Sequence, residues 1–180
     1  MYNFFYNVMK PKYGENCRLL YTDADSLVLD VTTDDVYADF RAEGMRKYFD
    51  FSDYPKDHPN YDASNAKVLG LFKDERSSSL LTEFVGLKAK MYAMRVGDKE
   101  KMCAKGCPKG TVKKYTKFDL YKDVLFDDKT TQVSFKCLRS ENHQLHTMSL
   151  TKMGLSNYDN KRYYLDSVVS LPYGQKSLEQ

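Results

Sequence analysis

One stretch, Leu19 to Val31, constrains this chain more than any other: an apolar run interrupted at its centre by Thr22-Asp23-Ala24-Asp25-Ser26. Apolar and β-branched residues on both sides of a short polar turn predict two strands joined by a tight hairpin. The acids then sit at the tip. Two carboxylates one residue apart disfavour each other's ionisation, and burying both is costly unless a cation neutralises them. A hard divalent ion such as Mg²⁺ suits the task, because it takes a few carboxylates and fills its shell with water and substrate phosphates. Asp is also common in ordinary turns, so a solvated hairpin tip is the plain alternative. The flanking strands favour the metal, since two-metal phosphoryl transfer needs its ligands on a rigid mount.

Charge is divided along the 180 residues in a way the net value of +3 conceals. Residues 22–62 hold eleven acids against four Lys or Arg, and residues 86–125 hold eleven Lys or Arg against four acids. An acidic first part suits metal ions, and a basic second part suits phosphates. The 42% hydrophobic and 29% charged composition is that of a globular chain able to bury a core. No apolar run reaches membrane-spanning length and no secretory signal opens the chain, so an intracellular protein is expected, in nucleus or cytoplasm. In that setting Cys17, Cys103, Cys107 and Cys137 are expected as reduced thiols. Cys103 and Cys107 with His143 and His146 have poor zinc-ligand spacing, and ordinary small residues are the better reading.

Tyr2, Phe5, Tyr6 and Met9 fall at helical spacing before Pro11 and Gly14, predicting an amphipathic helix under the hairpin. Thr32 or Thr33 is placed to cap a second helix, with Val36, Tyr37, Phe40, Gly44 and Tyr48 on its buried face. Residues 50–66 read as an irregular loop pinned by Phe51, Tyr54 and Tyr61. Val68–Glu75 and Leu80–Val85 predict a second hairpin or meander around Arg76–Ser79. Lys88 to Met94 continues with period two, which in a strand projects Lys88, Lys90 and Tyr92 from one face. Ammonium groups and a phenol there suit a nucleic-acid backbone, while an exposed strand face is the plain alternative. The run from Lys99 to Lys114 lacks a hydrophobic period and predicts a basic loop or poorly formed hairpin, with Lys113 and Lys114 near emerging duplex. A short helix after Lys117 and strands around 133–138 and 145–150 complete the pattern.

Tyr21-Thr22-Asp23-Ala24-Asp25-Ser26 resembles motif C of family B DNA polymerases, Tyr-Thr-Asp-Thr-Asp-Ser, with Ala24 where the family usually has Thr. Tyr6-Asn7-Val8-Met9-Lys10-Pro11-Lys12-Tyr13-Gly14, Phe84-Val85-Gly86-Leu87-Lys88-Ala89-Lys90-Met91-Tyr92 and the tail from Tyr158 to Asp166 resemble the protein-primed branch. Within it the likeness is to polymerases of Polinton or Maverick transposons and related viruses, from about Tyr2 to Tyr173. The resemblance implies an α+β fold: a partial palm with an antiparallel sheet and the motif C hairpin over residues 1–97, then a strand-rich, thumb-like region over 98–180. It implies that Asp23 and Asp25 are catalytic metal ligands, Asp25 foremost, and that Lys90 and Tyr92, matching Lys-x-Tyr, touch the primer strand. Lys88, Lys113 and Lys114 are the further DNA-binding candidates. Primer–template DNA, deoxynucleoside triphosphates, Mg²⁺ and a terminal protein primer are the implied partners, with no membrane.

The implied reaction is attack of a primer 3′-hydroxyl on the α-phosphate of a deoxynucleoside triphosphate, with a two-metal site stabilising nucleophile and leaving group. The motif A aspartate and the Lys and Tyr of motif B are missing from this chain, and no exonuclease segment is present. The expectation is therefore a truncated polymerase, inactive alone. Two other readings stand beside it: a catalytically idle DNA-binding remnant, and a palm-like phosphotransferase such as a nucleotidyl cyclase.

Overall fold

The computed structural model describes residues 1–76, 79–159, 161–166 and 169–174. Helices and antiparallel sheets are mixed, as an α+β chain requires. The chain forms two compact units, Met1–Thr82 and Glu83–Gln180. They part fifteen residues before the 97/98 boundary expected from sequence, and residue 97 lies in the turn between two strands of one sheet.

The first unit opens with α1 (Tyr2–Phe4), a π-helical turn over Phe5–Met9, and α2 (Lys10–Tyr13). The π turn shifts the phase of the apolar stripe, so Phe4, Phe5 and Met9 are buried. Tyr2 and Tyr6, expected inward, instead remain 70% and 58% exposed. β1 (Cys17–Asp23) and β2 (Ser26–Val31) pair antiparallel. Cys17, Leu19, Leu27, Leu29 and Val31 pack on the core formed by that helical stretch with Met45, Phe49, Phe51 and Tyr54.

The single helix expected after the hairpin is two, α3 (Val36–Arg41) and α4 (Glu43–Arg46), broken at Ala42. Its cap is Asp35, whose carboxylate accepts from the Tyr37 and Ala38 N–H groups; neither Thr32 nor Thr33 serves. Thr33 instead donates to Asp39, which also takes Tyr13 and Lys12 and thereby ties α2 to α3. The Thr33 hydroxyl bond leads the contacts that hold the Asp39 carboxyl below its usual range.

Residues 50–66 form the expected irregular segment, with Phe51 and Tyr54 buried. The hairpin expected over 68–85 does not form. Lys67 and Gly70 adopt left-handed backbone at φ 62° and 86°, and Leu69 between them is 97% exposed. Among the described residues from 68 to 82, extended pairing is a parallel bridge of Phe72 with Phe49. Part of the expected turn, residues 77–78, lies outside the described residues.

The second unit is built on a sheet of β3 (Glu83–Lys88), β4 (Met91–Val96) and β5 (Lys99–Ala104), in the order β3-β4-β5. The basic run expected as a loop or poorly formed hairpin is thus a regular strand, hairpin-paired with β4, followed by α5 (Lys109–Tyr115). A Met102 and Ala104 side on β5, with Val112 on α5, supplied the apolar contacts that its lysines masked. α6 (Phe118–Phe126) lays Phe118, Tyr121 and Val124 against Val85, Leu87, Met91 and Ala93. Arg95 covers the Phe118 ring at 4.4 Å and pairs with Glu83 and Glu100, closing that core with a charged lid.

β6 (Gln132–Glu141) and β7 (Gln144–Met153) form a long ribbon, turning at Asn142 and His143, both at positive φ. β8 (Arg162–Tyr164) and β9 (Ser170–Pro172) make a last small pair. Among the described residues, no helix is long and apolar enough to cross a membrane, and Cys17, Cys103, Cys107 and Cys137 are free thiols.

Candidate functional site

β1 and β2 pair down to Asp23 opposite Ser26, leaving Ala24 and Asp25 as a two-residue loop. The motif's own polar groups close it. The Asp25 N–H donates to the Asp23 carbonyl at 2.5 Å, and the Ser26 hydroxyl donates to the same carbonyl at 3.2 Å. The Thr22 hydroxyl reaches the Ser26 carbonyl at 3.1 Å. Ala24 carries the sharp reversal at φ 44°.

A β-bulge decides where Asp23 points. The register runs Leu19 to Leu29 and then Tyr21 to Val28, so Leu20 is the extra residue. Strict alternation from Cys17 and Leu19 would put Tyr21 and Asp23 on the buried face. The bulge transfers them to the other face, with Val28 and Ser26 as cross-strand neighbours. Asp23 is half-buried there and Asp25 is exposed.

Because a side chain at positive φ costs about 1–2 kcal/mol, Ala24→Gly is expected to raise stability by about 0.5–1 kcal/mol. The urea midpoint of the purified variant checks this, and a fall would show that the loop is not held at φ 44°.

Two hard carboxylates at a crest are part of a Mg²⁺ donor set and leave room for phosphate and water oxygens. Among the described residues, no group of three or more His, Cys, Asp or Glu gathers in a metal-holding arrangement. That covers Cys103 and Cys107 with His143 and His146 as well as the hairpin acids. Asp23 and Asp25 are two carboxylates, fewer than such a group contains.

The lysine and tyrosine candidates belong to the second unit, and their expected single strand face is corrected. Lys88 ends β3, Ala89 and Lys90 make the turn, and Tyr92 lies on β4. Lys90 sits at φ 59°, which a strand excludes. Its carbonyl accepts from the Lys105 N–H at 3.0 Å and the Cys103 thiol at 3.2 Å, so the turn is fixed from β5 and the residue after it. Lys88 donates its ammonium to the Tyr158 carbonyl at 2.8 Å, a tie to the C-terminal segment. Lys113 and Lys114 are exposed on α5, with the Lys114 ammonium 5.0 Å from the Tyr115 ring centroid.

Tyr92 pairs with Gly86 on one side and Cys103 on the other, on the sheet face opposite Val85, Leu87 and Ala93. Phe84 stacks on it, with ring centroids 5.9 Å apart and planes at 25°. Lys101, opposite Met94, shares that face. Phe84 and Lys101 escaped the sequence reading of this surface. Period two in Phe84-Val85-Gly86 was the available signal for Phe84; Lys101 was hidden by reading its run as a loop.

Comparison with protein-family models, curated proteins and solved structures finds no match to the chain.

Proposed function

We propose that this chain is the C-terminal palm and thumb portion of a protein-primed family B DNA polymerase, of the Polinton or Maverick transposon or related viral type. The observation that carries the reading is the β1–β2 crest, where a two-residue loop bears Asp25 and a bulge turns Asp23 away from the core. Such a ribbon holds two acids on a mount whose other side is anchored in packed rings.

In this reading Asp25 and Asp23 are two of the carboxylates that hold Mg²⁺, and a third comes from motif A of the polymerase. The ions, when bound, supply charge neutralisation at the primer hydroxyl and the triphosphate. The chain's own contribution is placement. Lys90 and Tyr92 meet the primer strand, and Lys113 and Lys114 neutralise duplex phosphates, with Lys88 joining them on release from Tyr158. The hydroxyl of the primer terminus loses its proton to solvent and attacks the α-phosphorus, the bond from that phosphorus to the oxygen bridging to the β-phosphate breaks, and pyrophosphate leaves with that electron pair. Deoxynucleoside triphosphates and primer–template DNA are the substrates, and a terminal protein is the natural first primer in this branch.

Binding of a labelled primer–template duplex tests the reading. Four lysines at phosphates predict a slope of log K against log salt of about −3 to −4, and each Lys→Ala change flattens it by about 0.9. Manganese-induced broadening of amide signals is expected to centre on Ala24 and to vanish in an Asp23→Asn/Asp25→Asn double variant. Salt-independent binding, or broadening located elsewhere, would sink the proposal.

A second reading, the idle DNA-binding remnant, draws on the two hairpin acids standing outside any metal-holding group of three among the described residues. It shares the salt slope and differs in predicting no manganese effect at Ala24. The polymerase reading with its motif A partner absent predicts broadening without primer extension by the isolated chain.

A further inference from the structure

We propose that Phe84 is the positioning residue for Tyr92, and that Gly86 exists as glycine to let the two rings meet. The inference rests on the reading of Tyr92 as a primer-strand contact and adds a residue to that surface.

The register sets the geometry. Phe84 pairs with Met94 and Gly86 with Tyr92, so all four share the face opposite the core of the second unit. Phe84 and Tyr92 are therefore diagonal neighbours, a relation in which aromatic side chains can just touch. Contact is made across Gly86. A Cβ built there would lie 3.0 Å from Phe84 Cε1 and 3.5 Å from Cζ, which means the Phe84 ring leans along its strand over the bare glycine. It ends stacked on Tyr92, 5.9 Å away between centroids. An alanine at 86 would press on the ring edge and make it give by a few tenths of an ångström along that path.

The neighbouring Lys90 is fixed by a different device. Its carbonyl takes hydrogen bonds from Lys105 and Cys103, so backbone contacts hold the lysine turn while a ring holds the tyrosine. Holding a side chain in its working rotamer before the ligand arrives removes an ordering cost from binding. Phe84 lies outside the core cluster of this unit, half-buried on the other face of the sheet beside its buried cross-strand partner Met94.

The test uses the full chain and a fluorescein-labelled primer–template hairpin, read by anisotropy, together with the NMR ring shifts of Tyr92. Phe84→Leu and Gly86→Ala are each expected to weaken binding about 3- to 10-fold and to relax the Tyr92 shifts. Phe84→Trp is expected to keep both. On a Tyr92→Leu background, Phe84→Leu is expected to add nothing, because Phe84 acts through the tyrosine. Gly86 is exposed, so Gly86→Ala stands in wherever Phe84→Leu does not fold. Affinity that falls with Tyr92→Leu but not with either partner change overturns the inference and leaves the polymerase reading standing; so does an additive double variant. A chain that does not bind the hairpin, or binds it regardless of Tyr92, overturns the primer-contact reading and this inference with it.

Discussion

Tyr121→Ala is expected to lower the stability of the second unit by about 4 kcal/mol, the usual cost of deleting a buried aromatic ring. Tyr121 is fully buried on α6 and touches the sheet through the core residues Val85, Leu87, Met91 and Ala93. Its hydroxyl donates to the Cys103 carbonyl at 3.1 Å, and burial raises the phenol above its ordinary range, keeping it a neutral donor at any working pH. Tyr121→Phe retains the ring and loses that bond, so it is expected to cost only about 1 kcal/mol. Urea denaturation of both variants, followed by far-ultraviolet circular dichroism, measures the difference. Equal losses would mean that the hydrogen bond, not the packing, holds α6 down. Because Cys103 also ties the Lys90 turn, Tyr121→Phe further tests whether the lysine turn depends on the helix behind it.

Asp50→Ala is expected to cost about 3 kcal/mol in the first unit, since it leaves the Ser52 and Lys67 N–H groups without their buried acceptor, while the exposed Lys73 keeps Asp53 as a partner. Asp50 is buried just after Phe49, accepting from the N–H groups of Ser52 and Lys67, each at 2.9 Å, with the Lys73 ammonium at 3.3 Å. These contacts hold together a segment that has almost no regular structure, where Phe72 meets Phe49 by a single bridge. Burial alone would raise the carboxyl's pKa, but the hydrogen bonds outweigh it and bring it down to about 2. A depressed carboxyl stabilises the fold above its unfolded value of 3.8, and that contribution disappears as pH falls through about 2. Wild-type stability should therefore drop between about pH 4 and pH 2, and Asp50→Asn should remove that part of the slope. An unchanged acid profile in Asp50→Asn would show that other carboxylates carry the transition.

The two predictions fall where sequence reasoning saw least. Residues 50–66 read as a loop pinned by Phe51, Tyr54 and Tyr61; Phe51 and Tyr54 do pin it, and Tyr61 is exposed. Asp50 was invisible because one more Asp among many in an acidic stretch carries no periodic mark. Its role comes from residues 67 and 73, which only tertiary closure brings to it. α6 was legible, since Phe118, Tyr121 and Leu125 repeat at helical spacing, although Leu125 itself is exposed. The ribbon of β6 and β7 was visible as two strands but not as ten-residue partners, because its outer half buries nothing and so lacks an alternating pattern.

The amino-acid order alone determined the β1–β2 hairpin and the place of two acids at its turn. Apolar runs must pair and bury, and Thr-Asp-Ala-Asp-Ser, with no apolar stripe to bury, falls where the chain reverses. The division of charge and the thiol-only cysteines were likewise written in the residues. What tertiary structure decided was direction. The bulge at Leu20 turned Asp23 off the core face, and the turn at Lys90 broke a period-two run into a hairpin, separating Lys88 from Tyr92. Both depend on one residue out of register. The apolar periodicity of the sequence is nearly the same with or without that residue, so cross-strand pairing and the core behind it must choose.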